Sequence, residues 1–139
     1  LDKYDRSAFA FDQAEQHNCD ILVATPTTLL LDLDTDEQYR AFLRNLDVLR
    51  RETSLVVSYE ELKSRSGNRH VVVSLAEPLD ITTRLLLQAV LGSDPVRELL
   101  SYLRARDNDP MPSLLFRPRV IHAEGQSEAM AQQSGEATR

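Results

Sequence analysis

"TTLLLDLDT", residues 27–35, is an apolar run that ends with Asp32 and Asp34 two residues apart. Read as a strand, it places residues i and i+2 on one face, so the two carboxylates lie side by side. Like charges at that spacing repel unless a cation, a basic residue or water makes up the difference. Solvation at a strand end is the simple reading. A bound divalent cation is the demanding one.

Outward from this stretch, "CDILVATPTTLLLDLD" is strand-like throughout, with Pro26 as a break or edge position. Before it, residues 7–17 carry Phe9 and Phe11 in a short, weakly amphipathic helix. After it, residues 36–51 predict a helix. Asp36 and Glu37 open it and Arg50 and Arg51 close it, as the helix dipole prefers. Tyr39, Phe42, Leu43, Leu46 and Leu49 form its apolar stripe. "TSLVVSYEEL" and "HVVVSL" flank the turn-forming "SRSGN" and predict a hairpin.

Asp80 can cap a helix that buries Leu85, Leu86, Ala89 and Val90 and ends at Gly92. Ser93 or Asp94 then caps a second helix, with Pro95 at its first position and Val96, Leu99, Leu100 and Leu103 inward. "SLLFRPRVI" predicts a final strand. Residues 123–139 form a polar tail without a core pattern, expected to be disordered or to bind on its own account. The order β, α, β, β, α, α, β around one sheet predicts a single α+β domain over residues 1–122. Its sheet is expected to be mixed or antiparallel and flanked by helices.

The chain has 139 residues, of which 42% are hydrophobic and 27% charged, enough for one globular domain with a real core. Its single cysteine, Cys19, rules out an intrachain disulfide framework or a CxxC motif and fits a reducing cytoplasm. No segment has the length and apolarity of a membrane span, and the acidic start lacks a signal-peptide pattern. The expectation is therefore a cytoplasmic protein with no membrane partner. A net charge of -6 argues against a broadly basic nucleic-acid binder. It leaves open a site that reaches phosphates through metal ions. With four glycines and no GxxxxGK[ST], the chain has no phosphate loop.

Three features could combine: Asp32 with Asp34, "SRSGNRH" ending in His70, and "GSDPVRELLSYLR" with Asp94. Two aspartates at a strand end with a third from elsewhere make an oxygen-ligand set suited to Mg2+ or Mn2+. Such ions clamp the attacking and leaving oxygens of a phosphoryl transfer. Ser66 and His70 would add hydrogen bonds, and Arg69, Arg97 and Arg104 charge for a polyphosphate. Each element also has an ordinary reading, as a capped histidine, a hairpin turn or a helix cap.

Taken in order, "LLLDLD", the Ser-x-x-x-His of "SGNRHVVVSL" and the acidic residue of "SDPVRELLSYLR" resemble the three motifs of the archaeo-eukaryotic primase superfamily, written hhhDhD, sxH and hD. The last stretch is similar to that of some phage and plasmid members. The likeness covers residues 27–118. It implies an RRM-like primase-polymerase catalytic core that makes or extends primers in phage or plasmid DNA replication. It further implies Asp32, Asp34 and Asp94 as catalytic metal ligands for Mg2+ or Mn2+. Ser66 and His70 would lie on the triphosphate, with Arg69, Arg97 and Arg104 around it. The implied partners are nucleoside triphosphates, a single-stranded DNA template, and a helicase or other replication protein.

Two other readings stay open. A PD-(D/E)xK nuclease would use Glu61 and Lys63 with Asp34 or Asp47. A non-catalytic accessory protein would bind a protein or nucleic acid and return all three features to their ordinary roles. A haloacid-dehalogenase phosphatase is excluded, since Asp36 takes the place where Thr or Val is required after Asp34.

Overall fold

The computed structural model describes residues 3–63 and 67–118. The expected C-terminal tail and Ser66 lie outside them. In chain order the elements are α1 (Lys3–Gln16), β1 (Cys19–Val23), β2 (Thr28–Leu33), α2 (Asp36–Glu52), β3 (Val56–Lys63), β4 (Arg69–Leu75), α3 (Ile81–Val90), α4 (Pro95–Arg106) and β5 (Leu114–Pro118). This is an α+β domain with antiparallel sheets flanked by helices.

Where one sheet was expected, there are two: β2-β4-β3 and the pair β1-β5. Pro26 is the reason. Without an N–H it cannot continue a ladder, and the chain turns there, with the Thr28 N–H on the Thr25 carbonyl at 3.1 Å. The apolar run thus serves two sheets. In the larger sheet β4 is antiparallel to both neighbours, so β2 and β3 are parallel and joined through α2. This is a split β-α-β unit with β4 in the gap.

Leu29, Leu31 and Leu33 share one face with Val71, Val73 and Leu75, and Phe42 and Leu46 of α2 close over them. A capping box starts α2: Thr35 Oγ1 accepts the Gln38 N–H at 3.1 Å, and Gln38 Oε1 accepts the Thr35 N–H at 3.0 Å. Leu43, expected inward, is exposed; Tyr39 and Leu49 pack at the margin of the core. Strand β5 touches both β2 and β3, the outer strands of the sheet, and so crosses its opposite face.

Helices α3 and α4 depart most from expectation. Leu85 is buried, but its companions on the inner face are Arg84 and Gln88, while Leu86 and Val90 are exposed. On α4 the inner face is Glu98 and Ser101, and Val96, Leu99 and Leu100 lie outside. The cause is the open edge of β2, whose backbone groups need polar partners once buried. Gln88 Oε1 accepts the Leu30 N–H at 2.9 Å and Ser93 Oγ accepts the Asp32 N–H at 3.0 Å. The Leu30 carbonyl accepts from Arg97 Nη1 at 3.1 Å, and the Asp32 carbonyl from the Asp94 N–H at 3.1 Å. Side chains from the α3–α4 corner thus take the place of a fourth strand. Gly92 makes the corner tight: its φ is +93°, and a Cβ there would meet the Gln38 carbonyl oxygen at 3.0 Å.

Candidate functional site

Asp32 pairs with His70 across the β2–β4 ladder, which places both on the face away from α2. Asp34 follows one residue past the strand, its N–H held by Gln38 Oε1 at 2.8 Å. The α2 capping box therefore also fixes the second aspartate. The Asp34 carboxylate is close enough to Asp32 to act on its charge, and its Oδ1 accepts from Asn68 Nδ2 at 2.8 Å. Asp32 Oδ1 is 3.5 Å from His70 Nε2.

Electrostatics resist charging this group. Burial first, then the neighbouring Asp34 carboxylate, push the Asp32 carboxyl up to about 6, against the pull of Arg97. Burial and then Arg97 push the His70 imidazole down, opposed by the Phe116 backbone and Asp34. With both partners shifted toward their neutral forms, the contact at neutral pH is carboxylate on neutral imidazole, not an ion pair. Two buried side-chain atoms among the described residues lack a hydrogen-bond partner, Asp32 Oδ1 and His70 Nδ1, and both are here. Orphaned buried polar atoms are rare and costly.

The other expected residues are placed differently. Asp94 adjoins the site through its N–H on Asp32, but its Oδ1 accepts from the Val96 N–H at 3.2 Å and caps α4. Among the described residues no group of three or more His, Cys, Asp or Glu side chains is set to hold a metal ion. Arg97 is occupied: besides Leu30, it bonds the Leu114 carbonyl at 2.9 Å and Ser113 Oγ at 3.3 Å, and pairs with Glu98. It ties β2 to β5. Arg69, next to His70 in β4, points the other way, onto Asp36 at 3.2 Å and the Tyr39 ring at 4.1 Å. Arg104 lies ten residues along α4 from Asp94, about 15 Å by helix rise.

The nuclease residues are not brought together either. Glu61 pairs with Val71, on the α2 face, and accepts from the Tyr39 hydroxyl, whereas Asp32 and His70 occupy the opposite face. Asp47 is paired with Arg51 on α2 at 3.2 Å. The Lys63 side chain lies outside the described residues.

Sequence reasoning missed the polar cluster beneath the site. Gln88 Nε2 donates to Glu98 Oε2 at 2.5 Å, and Ser93 donates to Glu98 Oε1 at 2.9 Å. Burial raises the Glu98 carboxyl, with Arg97 opposing. The available signal was position: Glu98 and Ser101 lie opposite the Val96–Leu100 stripe, and that pattern does not say which face turns inward. No protein-family model, curated protein or solved structure matches the chain.

Proposed function

We propose that the chain is a metal-dependent nucleotidyltransferase of the primase-polymerase kind, with an RRM-like core formed by the β2-α2-β3-β4-α3 segment. The observation that carries this reading is the Asp32–Asp34 pair beside His70, with Asp32 Oδ1 and His70 Nδ1 buried and unsatisfied. The donor set fits Mg2+ or Mn2+, since such ions are commonly held by one or two carboxylates and completed by water and substrate phosphates. Asp32 and Asp34 would hold the ion, and Asp94 would adjoin it. When bound, the ion neutralises charge on the transferred phosphoryl group. His70 contributes a hydrogen bond to the triphosphate. The ionised Asp32 required for this prevails above about pH 6.

The substrates on this reading are nucleoside triphosphates and a single-stranded DNA template, with a helicase or other replication protein as a further partner. The test is nucleotide incorporation on single-stranded DNA, primed and unprimed, with ribo- and deoxynucleotides and Mg2+ or Mn2+. Wild type incorporates and Asp32→Asn does not. Unchanged incorporation in Asp32→Asn would remove these aspartates from the chemistry.

A second reading, a non-catalytic binding module, is favoured by the use made of Asp94 and Arg97, which serve the α4 cap and the β2 edge. No incorporation by wild type under any of those conditions would put it in front.

A further inference from the structure

Arg84 of α3 is buried, with 8% of its surface exposed. A buried arginine is ordinarily paired with an anion. Here the guanidinium rests on two backbone carbonyls, Nε on Leu79 at 3.0 Å and Nη1 on Thr25 at 2.8 Å. These fix its plane but do not balance its charge. Among the described residues no carboxylate is ion-paired with it, and Nη2 has no hydrogen-bond partner. The fully enclosed side-chain atoms without partners are Asp32 Oδ1 and His70 Nδ1, so Nη2 is open to approach from outside. Burial pushes the guanidinium down from its usual range, with Asp80 at the α3 N-cap opposing.

Arg84 lines a cleft of about 350 Å3, where the ends of β1 and α4 meet the start of α3 and the loop into β5. That volume lies at the lower end of the range for small-molecule sites. Val23, Ile81, Ala105 and Pro112 give the cleft apolar walls. Ser113, 1% exposed, also lines it and is a second donor. Its Oγ accepts from Gln88 Nε2 at 3.4 Å and from Arg97 Nη2 at 3.3 Å. Neither nitrogen can accept in return, so the hydroxyl hydrogen is left for a third partner. Asp109 borders the same space, but its Oδ1 is held by the Met111 N–H at 2.9 Å, and it is not among the groups that act on Arg84.

We propose that this cleft binds a small organic carboxylate, its charged end on Arg84 and the Ser113 hydroxyl and its apolar body against Val23, Ile81 and Ala105. One positive charge and two free donors match a monoanion with two oxygens. A phosphate dianion asks for more donors and has no apolar body to set against the walls. The site shares no residue with the Asp32–His70 group and does not depend on the nucleotidyl-transfer reading.

Titration of the 15N-labelled chain with benzoate, phenylacetate and hexanoate, followed by amide chemical shifts, tests it. At least one is expected to shift the Ile81, Arg84 and Ser113 amides saturably at millimolar concentration. Benzamide, the neutral counterpart of benzoate, and inorganic phosphate should bind at least about tenfold more weakly, the worth of one charge-assisted hydrogen bond. Arg84→Gln should weaken binding by a similar factor. Because that variant also withdraws donors from two carbonyls and can unfold the chain, Ala105→Leu is the second variant. It keeps a good helix former on α4 and fills the cleft, so the spectrum should stay folded and the binding should be lost. No saturable shift with any of the three carboxylates, benzamide or phosphate binding as tightly as they do, or unchanged affinity in a folded Ala105→Leu would overturn the proposal.

Discussion

Helices α2 and α4 are both amphipathic, and the fold turns them opposite ways. Helix α2 puts Phe42 and Leu46 inward, while α4 puts Glu98 and Ser101 inward and leaves Val96, Leu99 and Leu100 in solvent. What each helix faces explains the difference. Helix α2 lies over a sheet face, where side chains of Leu29, Leu31 and Val73 stand up from the strands. The α3–α4 corner lies against a sheet edge, where the backbone of Leu30 and Asp32 presents N–H and carbonyl groups. An edge selects polar partners even from a helix that has an apolar stripe to offer. The lesson is that an apolar stripe identifies a helix but not the direction in which that helix is turned.

The largest effect that separates the two helices should come from α2. Phe42 is fully buried, so Phe42→Ala is expected to cost about 3 to 5 kcal/mol in urea unfolding. A loss below 1 kcal/mol would mean that the face beneath α2 is not the core. On α4 the matching position is polar. Glu98→Ala strips Gln88, Ser93 and Arg97 of a shared buried acceptor, and should cost about 3 kcal/mol, as removal of one member of a buried pair does. A surface-like change of under 0.5 kcal/mol would show that the edge does not need its polar cover.

The third effect has the opposite sign. The folded Asp32 carboxyl, at about 6, lies above its ordinary 3.8, so the fold favours the protonated form. Its contribution is neutral below pH 3.8, turns unfavourable as pH rises toward 6, and is constant above that. Asp32→Asn should therefore be more stable than wild type at pH 7 by no more than about 3 kcal/mol, and no more stable at pH 3.5. His70, whose imidazole is pushed down, destabilises the fold as pH falls below about 6.5. That effect acts in both proteins and largely cancels in the difference. An Asp32→Asn variant less stable than wild type at pH 7 would mean that the carboxylate is well solvated or well paired.

The smallest effect compares the caps. Thr35→Ala removes one side of the α2 capping box and should cost about 1 kcal/mol. Asp94→Ala removes the α4 cap but also relieves repulsion with Asp32, so it should cost less. Thermal denaturation at pH 7 ranks the two, and the reverse order would place the Asp94 charge away from the site.

Much of the fold was legible in the sequence, for local reasons. Asp36 and Glu37 before the stripe from Tyr39 to Leu49, with Arg50 and Arg51 after it, specify α2 through their own chemistry. The turn-rich "SRSGN" between two β-rich runs specifies the β3–β4 pairing in the same way. The Thr35–Gln38 capping box was also there to be read and was missed. The partition of one apolar run between two sheets was less so. Pro26 announced a break, but strand partners are chosen by residues more than forty positions away, such as Val73 for Leu29 and Leu114 for Val23. At the site, the neighbouring Asp32 and Asp34 could be read from their spacing, and His70 reaches Asp32 through the ladder register. Arg69 could not be placed without that register, because a one-residue offset in a strand reverses the face. The roles of Arg97 and Asp94 depend on an open edge that no local pattern reveals.

The central claim is that Asp32 and Asp34 are held together at an energetic cost that a divalent cation offsets. Melting temperatures of wild type and Asp32→Asn, each at pH 7 with and without Mn2+, test it most directly. Without metal the variant should melt no lower than wild type. With Mn2+ the wild type should rise and the variant should not. A variant that melts below wild type without metal, or equal responses of the two proteins to Mn2+, would contradict the account.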